Sequence, residues 1–492
     1  MRSSGILMHI SSLPSPYGIG ALGKSAYDFV DFAAAAKQSY WQILPLGPTG
    51  LGDSPYQSFS TFAGNPYFID LDLLCDDGLL ERDDIKKIRW RRRKTKVHYP
   101  ALYRRRFDVL LSAYARFSET ANPGFGEFCE SEKIWLDEYA LFMAIKNAHG
   151  DVSWHEWDEP YKKRDKKTLG EFRKDHGGEI DFWKFTQFIF DRQWRALKDY
   201  ANQKGIKIIG DMPIYVADDS ADVWANPELF MLGKDLVPTV VSGCPPDYFS
   251  DDGQLWGNPI YNWAVMKRQK YRWWTERLKK EFERCDAVRL DHFRGFESYY
   301  VLDYGAKTAR DGRWVKGPGQ GLFDTIKKEL GDVEIIAENL GLLTCEVRDF
   351  HNSVGYPGMR VLQFGFESDD RNNENMPHNI DSNNVVYAGT HDNPTVREWY
   401  RRLSRWDRKF CKNYIGETGS TRDFVWAFIE QVHSTAADIS IISMQDYLGL
   451  GARARMNRPS TTGRNWQWRA KPGDFDPKLS SKIATVTELY LR

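Results

Sequence analysis

The sequence predicts an α/β fold: a (β/α)8 TIM barrel with helix-rich and loop-rich insertions between strands. Three observations support this prediction. Eight short apolar runs, each followed by polar or acidic residues, are distributed along the 492-residue chain. Helical patterns lie between many of these runs, and alternating strands and helices indicate a parallel sheet. Several runs end on carboxylates, and the active-site groups of such a barrel lie at the carboxyl ends of its strands.

Each predicted strand is a short apolar run of the kind that a buried parallel strand requires. In chain order the strands are GILMHISS (5–12), YWQILPL (40–46), GIKIIGDMPIYV (205–216), AVRLDHF (287–293), VEIIAENLG (333–341), MRVLQFGF (359–366), VVYAGTHDN (385–393) and ISIISMQD (439–446). Amphipathic patterns predict helices at 25–38, 191–205, 273–284 and 321–331. Gly205 and Gly331 end two of these helices, where glycine accommodates a left-handed residue.

Uneven spacing of the strands predicts two insertions that have structure of their own. Residues 1–70 are expected to form the first part of the catalytic barrel, and residues 201–492 the remainder. Residues 71–200 are rich in charges and helical patterns, so we expect a mainly helical insertion subdomain there. A loop-rich insertion is expected at about 217–285, and its segment 242–261 is interpreted as an ordered loop near the site.

Composition restricts the classes of function. The 68 Lys and Arg residues balance the 68 Asp and Glu residues, which argues against a general nucleic-acid binder. The basic run at 86–96 is interpreted as a solvated helix face or loop, with nucleic-acid contact as the alternative. The six cysteines show no CxxC spacing, and neither a signal peptide nor an apolar segment of 18 residues is present. We therefore expect a cytoplasmic protein that has no membrane segment and no obligatory protein partner.

Carboxylates end four of the predicted strands: Asp211, Asp291, Glu338 and Asp392. They are far apart in sequence, but a closed barrel would bring them to one mouth. Arg289 stands two residues before Asp291, so both side chains would point to the same side of one strand. An ion pair at a strand end and a catalytic pair both explain this arrangement.

A group of carboxylates at a barrel mouth has two main uses. Metal binding is one, but the chain has no HExxH, DxDxDG or Cys/His cluster, and only an all-oxygen site stays open, so we predict no metal. GLGARA (449–454) lacks the strand–turn–helix context of a dinucleotide site, so we predict no cofactor. Glycoside chemistry is the other use, and retaining enzymes hold their two carboxyl groups roughly 5–5.5 Å apart. Neighbouring strand ends, about 5 Å apart, can supply that geometry.

Longer motifs carry a resemblance to one family. RLDHFRG, AENLG and GTHDN follow the order of the conserved regions of the α-amylase clan. Further motifs extend from near the N-terminus to about residue 470: SSLPSPYGIG (11–20), WQILPLGPTG (41–50), DSPYQSFSTFAGNPYFIDLDLL (53–74), GDMPIYVADDSADVW (210–224), PPDYFSDDGQLWGNPIY (245–261) and ARMNRPSTTGRNWQWR (454–469). With these motifs the whole chain resembles the 4-α-glucanotransferases, also called amylomaltases or disproportionating enzymes, of glycoside hydrolase family 77. The insert at 75–150 matches weakly.

The resemblance implies a role for each candidate residue. Asp291 is expected to be the nucleophile, Glu338 the acid/base, and Asp392 a donor-subsite residue that stabilises the oxocarbenium-like transition state. The expected substrate-binding residues are Arg289, His391, Asp211, Tyr56, Asp247, Gln254, Trp256 and Asn457. Maltooligosaccharides and α-1,4-glucans are the implied substrates, with glucose as an acceptor. Arg289 would favour an ionised Asp291, whereas Glu338 needs burial or nearby negative charge to stay protonated.

The preference for a sugar acceptor over water is the least determined part of the function. The segment 245–261, with Tyr248, Phe249 and Trp256, is expected to cover the intermediate. A retaining α-1,4-glucan hydrolase uses the same carboxylates and is the first alternative; a non-catalytic glucan-binding protein is a distant one. The loop RPSTTGRNW (458–466) departs from the familiar family pattern, notably at Ser460 and Arg464, which leaves acceptor preference open.

Two further histidines need an interpretation of their own. His9 and His292 could act as ligands or acid/base groups, but packed, hydrogen-bonded histidines explain them more simply.

Overall fold

A computed structural model describes the chain except for residues 1, 51, 89, 91–93, 247–250, 342, 368–369, 371, 418 and 462. The strands of the described part are β1 (Ser3–Leu7), β2 (Tyr40–Gln42), β3 (Lys207–Met212), β4 (Val240–Cys244), β5 (Gln254–Pro259), β6 (Ala287–Leu290), β7 (Ser298–Asp303), β8 (Arg313–Lys316), β9 (Ile335–Ala337), β10 (Gly358–Val361), β11 (Asn384–Tyr387) and β12 (Ile439–Ser443).

The α-helices of the described part are α1 (Lys24–Ala35), α2 (Leu71–Asp76), α3 (Arg82–Lys86), α4 (Tyr99–Ser118), α5 (Pro123–Ser131), α6 (Lys133–Ala148), α7 (Glu159–Lys162), α8 (Lys166–Asp175), α9 (Gly177–Gln203), α10 (Ala221–Ala225), α11 (Trp263–Arg268), α12 (Arg272–Arg284), α13 (Gln320–Leu330), α14 (Cys345–Val354), α15 (Leu362–Gly365), α16 (Val396–Arg402), α17 (Arg405–Ile415), α18 (Thr421–Ser434), α19 (Met444–Tyr447) and α20 (Pro477–Leu489). The four helices that the sequence predicts correspond to α1, the second half of α9, α12 and α13.

Eight parallel strands form one sheet that nearly closes into a barrel. Their order is β10-β11-β12-β1-β2-β3-β6-β9, which follows the chain around the barrel. The seam lies between β9 and β10, where the Ala337 N–H donates to the Pro357 carbonyl at 2.9 Å. The Asn339 side chain also crosses the seam and accepts from the Met359 N–H at 2.8 Å. The predicted (β/α)8 barrel is confirmed, and each of the eight predicted strands contributes to it.

Burial explains why these short runs become barrel strands. All residues of β6, β9 and β11 are buried, as expected for parallel strands that are covered on both faces. Gly205 and Gly331 follow helices and have φ values of +80° and +77°, a region that favours glycine. Both helices therefore end where the sequence predicts.

The interval between β2 and β3 is helical. Helices α2 to α9 occupy it, and α9 packs along α6. An ion pair joins this helical segment to the helices around the barrel. Nζ of the buried Lys280 on α12 lies 2.7 Å from Oε1 of Glu132, at the start of α6. The division of the chain at residues 70 and 200 stays a prediction.

A second, antiparallel sheet has the strand order β5-β4-β7-β8. Its strands β4 and β5 follow barrel strand β3, whereas β7 and β8 follow barrel strand β6. The interpretation of residues 242–261 as a loop is therefore wrong for residues 242–244, which end β4, and for Gln254–Pro259, which forms β5. Local sequence did not reveal this strand because the sheet depends on β7, some 40 residues further along the chain.

Candidate active site

Arg289 holds two carboxylates together at the carboxyl end of the barrel. It is the third residue of β6, and the β3–β6 register places Asp211 directly beside it. Its Nη1 lies 2.7 Å from Asp211 Oδ1, and its Nη2 lies 2.9 Å from Asp291 Oδ1. Because Arg289 is only 4% exposed, water screens these two ion pairs little.

Asp291 comes immediately after β6. Its N–H donates to the Met212 carbonyl, which continues the β3–β6 hydrogen bonding by one residue. His292 then adopts a left-handed conformation, with φ of 50°, and turns the chain away. The Asp291 side chain stays 29% exposed, so a substrate can reach it. Burial raises the pKa of Asp291 and the Arg289 guanidinium opposes that rise.

Glu338 comes immediately after β9, the strand that pairs with β6. The His292 N–H donates to its Oε2 at 2.7 Å, and the Leu340 N–H donates to its Oε1 at 3.0 Å. Burial raises the pKa of Glu338 to about 8; Arg289 opposes this rise and the charge of Asp291 adds to it. At neutral pH the protonated form of Glu338 therefore predominates beside Asp291.

A second set of hydrogen bonds crosses the barrel mouth from Asp211 to Asp392. The Tyr56 hydroxyl donates to Asp211 Oδ2 at 2.7 Å and lies 2.9 Å from His391 Nε2. His391 Nε2 is also 3.3 Å from Asp392 Oδ2. Asn457 Nδ2 donates to Asp392 Oδ1 at 2.6 Å. The structure thus links the candidate residues of β3, the residue-56 loop, the loop after β11 and the loop after β12.

Two of the remaining candidates belong to the second sheet. Gln254 and Trp256 lie on β5, where the Trp256 Nε1–H donates to Gln254 Oε1 at 3.2 Å. The Trp256 ring meets the His292 ring edge-on, with 4.8 Å between ring centroids. This contact places β5 beside the turn that follows Asp291. Asp247, Tyr248 and Phe249 lie outside the described residues.

Four contacts at the site were not expected from the sequence. The Trp466 ring packs 5.8 Å from Tyr56 and 5.9 Å from His391. Arg455 donates through Nη2 to the Asp392 carbonyl at 2.6 Å. Arg289 Nε donates to the Met359 sulfur at 3.4 Å. Trp466 and Arg455 lie inside a family motif, which was their only signal, because a loop has no periodicity from which contacts can be inferred.

His9 and His292, the two histidines to which no site role was assigned, are neutral. Burial lowers the pKa of both His9 and His292 to about 3. His9 is packed as expected, and its Nδ1 accepts from the Leu44 N–H at 3.3 Å. The expectation of a hydrogen-bonded side chain is wrong for His292, whose buried Nε2 has no hydrogen-bond partner among the described residues. Its role at the site is carried by its backbone N–H, which no sequence pattern indicated.

Within the described part of the chain, no three His, Cys, Asp or Glu side chains are grouped as a metal ion would require. In that part, no helix combines the length and apolar character needed to cross a bilayer.

Comparisons with known proteins agree with the geometry of the site. The profile of the glycoside hydrolase 77 family, described as 4-alpha-glucanotransferase, matches residues 8–475. A 4-alpha-glucanotransferase of Clostridium butyricum is 48% identical over 487 residues, which cover 99% of this chain and 100% of that protein. The chain belongs to the 4-alpha-glucanotransferase family. The resemblance inferred from the motifs is therefore confirmed, as is the class of enzyme.

Other members of the family match over similar lengths. The 4-alpha-glucanotransferase of Thermus thermophilus is 46% identical and covers 99% of this chain and 98% of its own length. The structure of the amylomaltase from Streptococcus agalactiae in complex with acarbose superposes with a TM-score of 0.97 at 41% identity, with both chains covered completely. Family membership thus extends over the whole barrel and its insertions.

Proposed function

We propose that this member of the 4-alpha-glucanotransferase family transfers α-1,4-glucan segments by a retaining double displacement. The donor is a maltodextrin, and the acceptor is the 4-hydroxyl of glucose or of another maltodextrin. One observation carries this mechanism: a carboxyl group with a pKa of about 8, Glu338, lies beside an accessible carboxylate, Asp291, that Arg289 binds. Two carboxyl groups with different protonation states are what a retaining mechanism needs.

In the first step Asp291 acts as the nucleophile. One of its oxygens forms a bond to the anomeric carbon of the donor, and the glycosidic C–O bond breaks. Glu338 gives its proton to the departing oxygen, which leaves as the hydroxyl of the released glucan fragment. The negative charge of Asp291 disappears into the ester, so the charge that raises the pKa of Glu338 is lost as Glu338 ionises.

In the second step the acceptor replaces the released fragment. Glu338, now a carboxylate, takes the proton of the acceptor 4-hydroxyl, whose oxygen bonds to the anomeric carbon. The ester bond to Asp291 breaks and restores its carboxylate beside Arg289. The inversions of the two steps cancel, so the product keeps the α configuration.

Asp392 and its neighbours hold the sugar during both steps. Asn457 occupies one oxygen of Asp392 and His391 approaches the other, which fixes the orientation of the carboxylate. Its side chain is still 42% exposed, so sugar hydroxyls can reach it. The Tyr56 hydroxyl contacts both Asp211 and His391 and so connects the two sides of the mouth. A pre-oriented carboxylate stabilises positive charge at the anomeric centre with little reorganisation.

Incubation with maltotriose alone tests the reaction. Transfer produces glucose and a ladder of longer maltodextrins while the number of reducing ends stays constant. Rising reducing ends without a ladder would instead establish the hydrolase, and no change would exclude both. The amylomaltase of Streptococcus agalactiae in complex with acarbose supports a glucan-type ligand. A cytoplasmic location and the absence of an obligatory protein partner stay expectations from the sequence.

A further inference from the structure

The segment 457–466 is fixed to the candidate active site at both of its ends. At one end Asn457 donates to Asp392, and at the other Trp466 packs against Tyr56 and His391. Asn465 closes the segment, because its Oδ1 accepts from the Arg458 N–H at 3.1 Å. Arg458 and Arg464, each one or two residues from these anchored ends, are therefore carried on a loop that begins and ends at the site.

Positive charge accumulates on this segment without nearby acidic residues in the sequence. No Asp or Glu occurs over residues 447–473, whereas the same stretch contains Arg453, Arg455, Arg458, Arg464, Arg469 and Lys471. Arg469 is buried and donates to the carbonyls of Leu13 and Ser15, so its role is structural. Arg464 is exposed, next to the closing Asn465, and makes no hydrogen bond or ion pair with the described residues.

Helix α16 adds cationic groups to the same place. Glu398 Oε1 lies 2.6 Å from Arg402 Nη2 and 3.2 Å from Arg458 Nη2, so one carboxylate oxygen serves two guanidiniums. Burial lowers the pKa of Arg455, and Arg458 and Arg402 lower it further while Glu398 opposes them. The side chains of Arg458 and Arg402 remain 42% and 55% exposed. Each guanidinium has five N–H donors, so most of those on Arg402 and Arg458 stay available to a ligand.

We propose that Arg402, Arg458 and Arg464, called here the arginine rim, bind a phosphate monoester carried by the glucan substrate. This inference rests on the proposed function, since it names the substrate class of the same site. A phosphate monoester carries about −1.5 to −2 charges at pH 7 and three acceptor oxygens. Guanidinium groups match that geometry with paired N–H donors. A neutral glucan offers only hydroxyl groups, whereas a phosphate monoester also supplies the negative charge that exposed guanidiniums bind most strongly.

A binding measurement tests the arginine rim separately from the transfer reaction. The Asp291→Asn variant prevents turnover, so calorimetry can compare neutral maltodextrins with maltodextrins of the same length that bear one 6-phosphate. We expect the phosphorylated chain to bind about three- to ten-fold more tightly. The preference should shrink when the salt concentration rises from about 0.05 M to about 0.5 M, because exposed charges are screened. Equal affinities at low salt would overturn the proposal.

Substitutions in the arginine rim test whether these arginines cause the preference for the phosphorylated chain. In the Asp291→Asn background, Arg464→Gln and Arg458→Gln should each reduce the ratio of phosphorylated to neutral affinity, and the pair together should bring it close to one. Arg105→Gln, at an exposed arginine on α4, is the matched control and should leave the ratio unchanged. A ratio that survives the double substitution, or falls equally in the control, would contradict the arginine rim.

Two further measurements distinguish a phosphorylated glucan from free phosphate as the ligand, and the arginine rim from the proposed transfer reaction. Inorganic phosphate and glucose 6-phosphate should bind more weakly than the phosphorylated glucan, since they lack the contacts of the glucan chain. If inorganic phosphate binds as tightly, the rim is a free-anion site and the proposal fails. If wild-type protein disproportionates neutral maltotriose but shows no phosphate preference, only this inference fails. If it leaves maltotriose unchanged while the phosphate preference is present, only the proposed function fails.

Discussion

Arg289 Nη2 lies 2.9 Å from Oδ1 of Asp291, the residue two positions further along the chain. The spacing is a consequence of the strand, in which alternate side chains point to one side. The other arm of the guanidinium binds Asp211 on the neighbouring strand at 2.7 Å. One buried cation therefore binds both Asp211 and Asp291, the carboxylate that we propose as the nucleophile.

Removal of the nucleophile should abolish transfer while the fold survives. We expect Asp291→Asn to lower kcat for maltotriose disproportionation by at least about 10³-fold, because the amide cannot form the glycosyl ester. Glucose release and the thermal midpoint would be measured together. Asp303→Asn, at an exposed aspartate on β7, is the control and should retain wild-type activity. More than a tenth of wild-type activity in Asp291→Asn would contradict the role of Asp291.

The pH profile should be bell-shaped with its alkaline limb near pH 8. In the proposed mechanism Glu338 is active as the acid, and its proton is lost as the pH rises through its pKa of about 8. Asp291 is active as the carboxylate, so activity should also fall as the pH drops through its raised pKa. The profile of kcat/KM reports the free enzyme. A plateau that extends beyond pH 10 would show that Glu338 is not the essential acid.

The charge of Asp291 should be visible in the titration of Glu338. Asp291→Asn removes a neighbouring negative charge that raises the pKa of Glu338, so that pKa should fall. Infrared difference spectra of the protonated carboxyl band, recorded across the pH range, would measure the shift. Glu338→Gln identifies the band by its disappearance. An unchanged pKa in Asp291→Asn would mean that burial alone protonates Glu338.

Loss of the Arg289 charge should destabilise the protein. Arg289→Met leaves Asp211 and Asp291 without their shared cation, and a buried charge that loses its partner costs about 3–5 kcal/mol. The free energy of unfolding in urea would be compared with that of Arg313→Met, which breaks an exposed pair with Asp303. The exposed pair should contribute no more than about 1 kcal/mol. Equal decreases in the free energy of unfolding in the two variants would show that the ion pairs of Arg289 stabilise the protein no more than an exposed pair does.

Much of the barrel could be predicted from the sequence because its strands are buried on both faces. Such strands give short apolar runs, and four of the eight runs end on a candidate carboxylate, as at Leu290–Asp291 and Ala337–Glu338. The second sheet could not be predicted in the same way. Strand β5 depends on hydrogen bonds to β4 and through it on β7, and local sequence does not encode such distant pairing.

The sequence could predict which residues are candidates for the site, but not most of the contacts among them. Asp211, Arg289 and Asp291 follow from strand geometry together with the motifs. The donation of the His292 N–H to Glu338 requires a left-handed residue after Asp291, which the sequence does not specify for a histidine. The packing of Trp466 against Tyr56 joins residues 410 positions apart, and only the folded chain reveals it.

Identification of a covalent glycosyl-enzyme is the decisive measurement for the double displacement. Glu338→Gln should still react with an α-maltosyl fluoride, because fluoride leaves without a proton from the acid, and the glycosyl-enzyme should then accumulate. Intact-protein mass spectrometry would measure the added maltosyl mass, and peptide mapping would locate it. We expect the adduct on Asp291 and its absence in the variant that combines Glu338→Gln with Asp291→Asn. An adduct on another residue, or turnover to a β-configured product without any adduct, would contradict the double displacement.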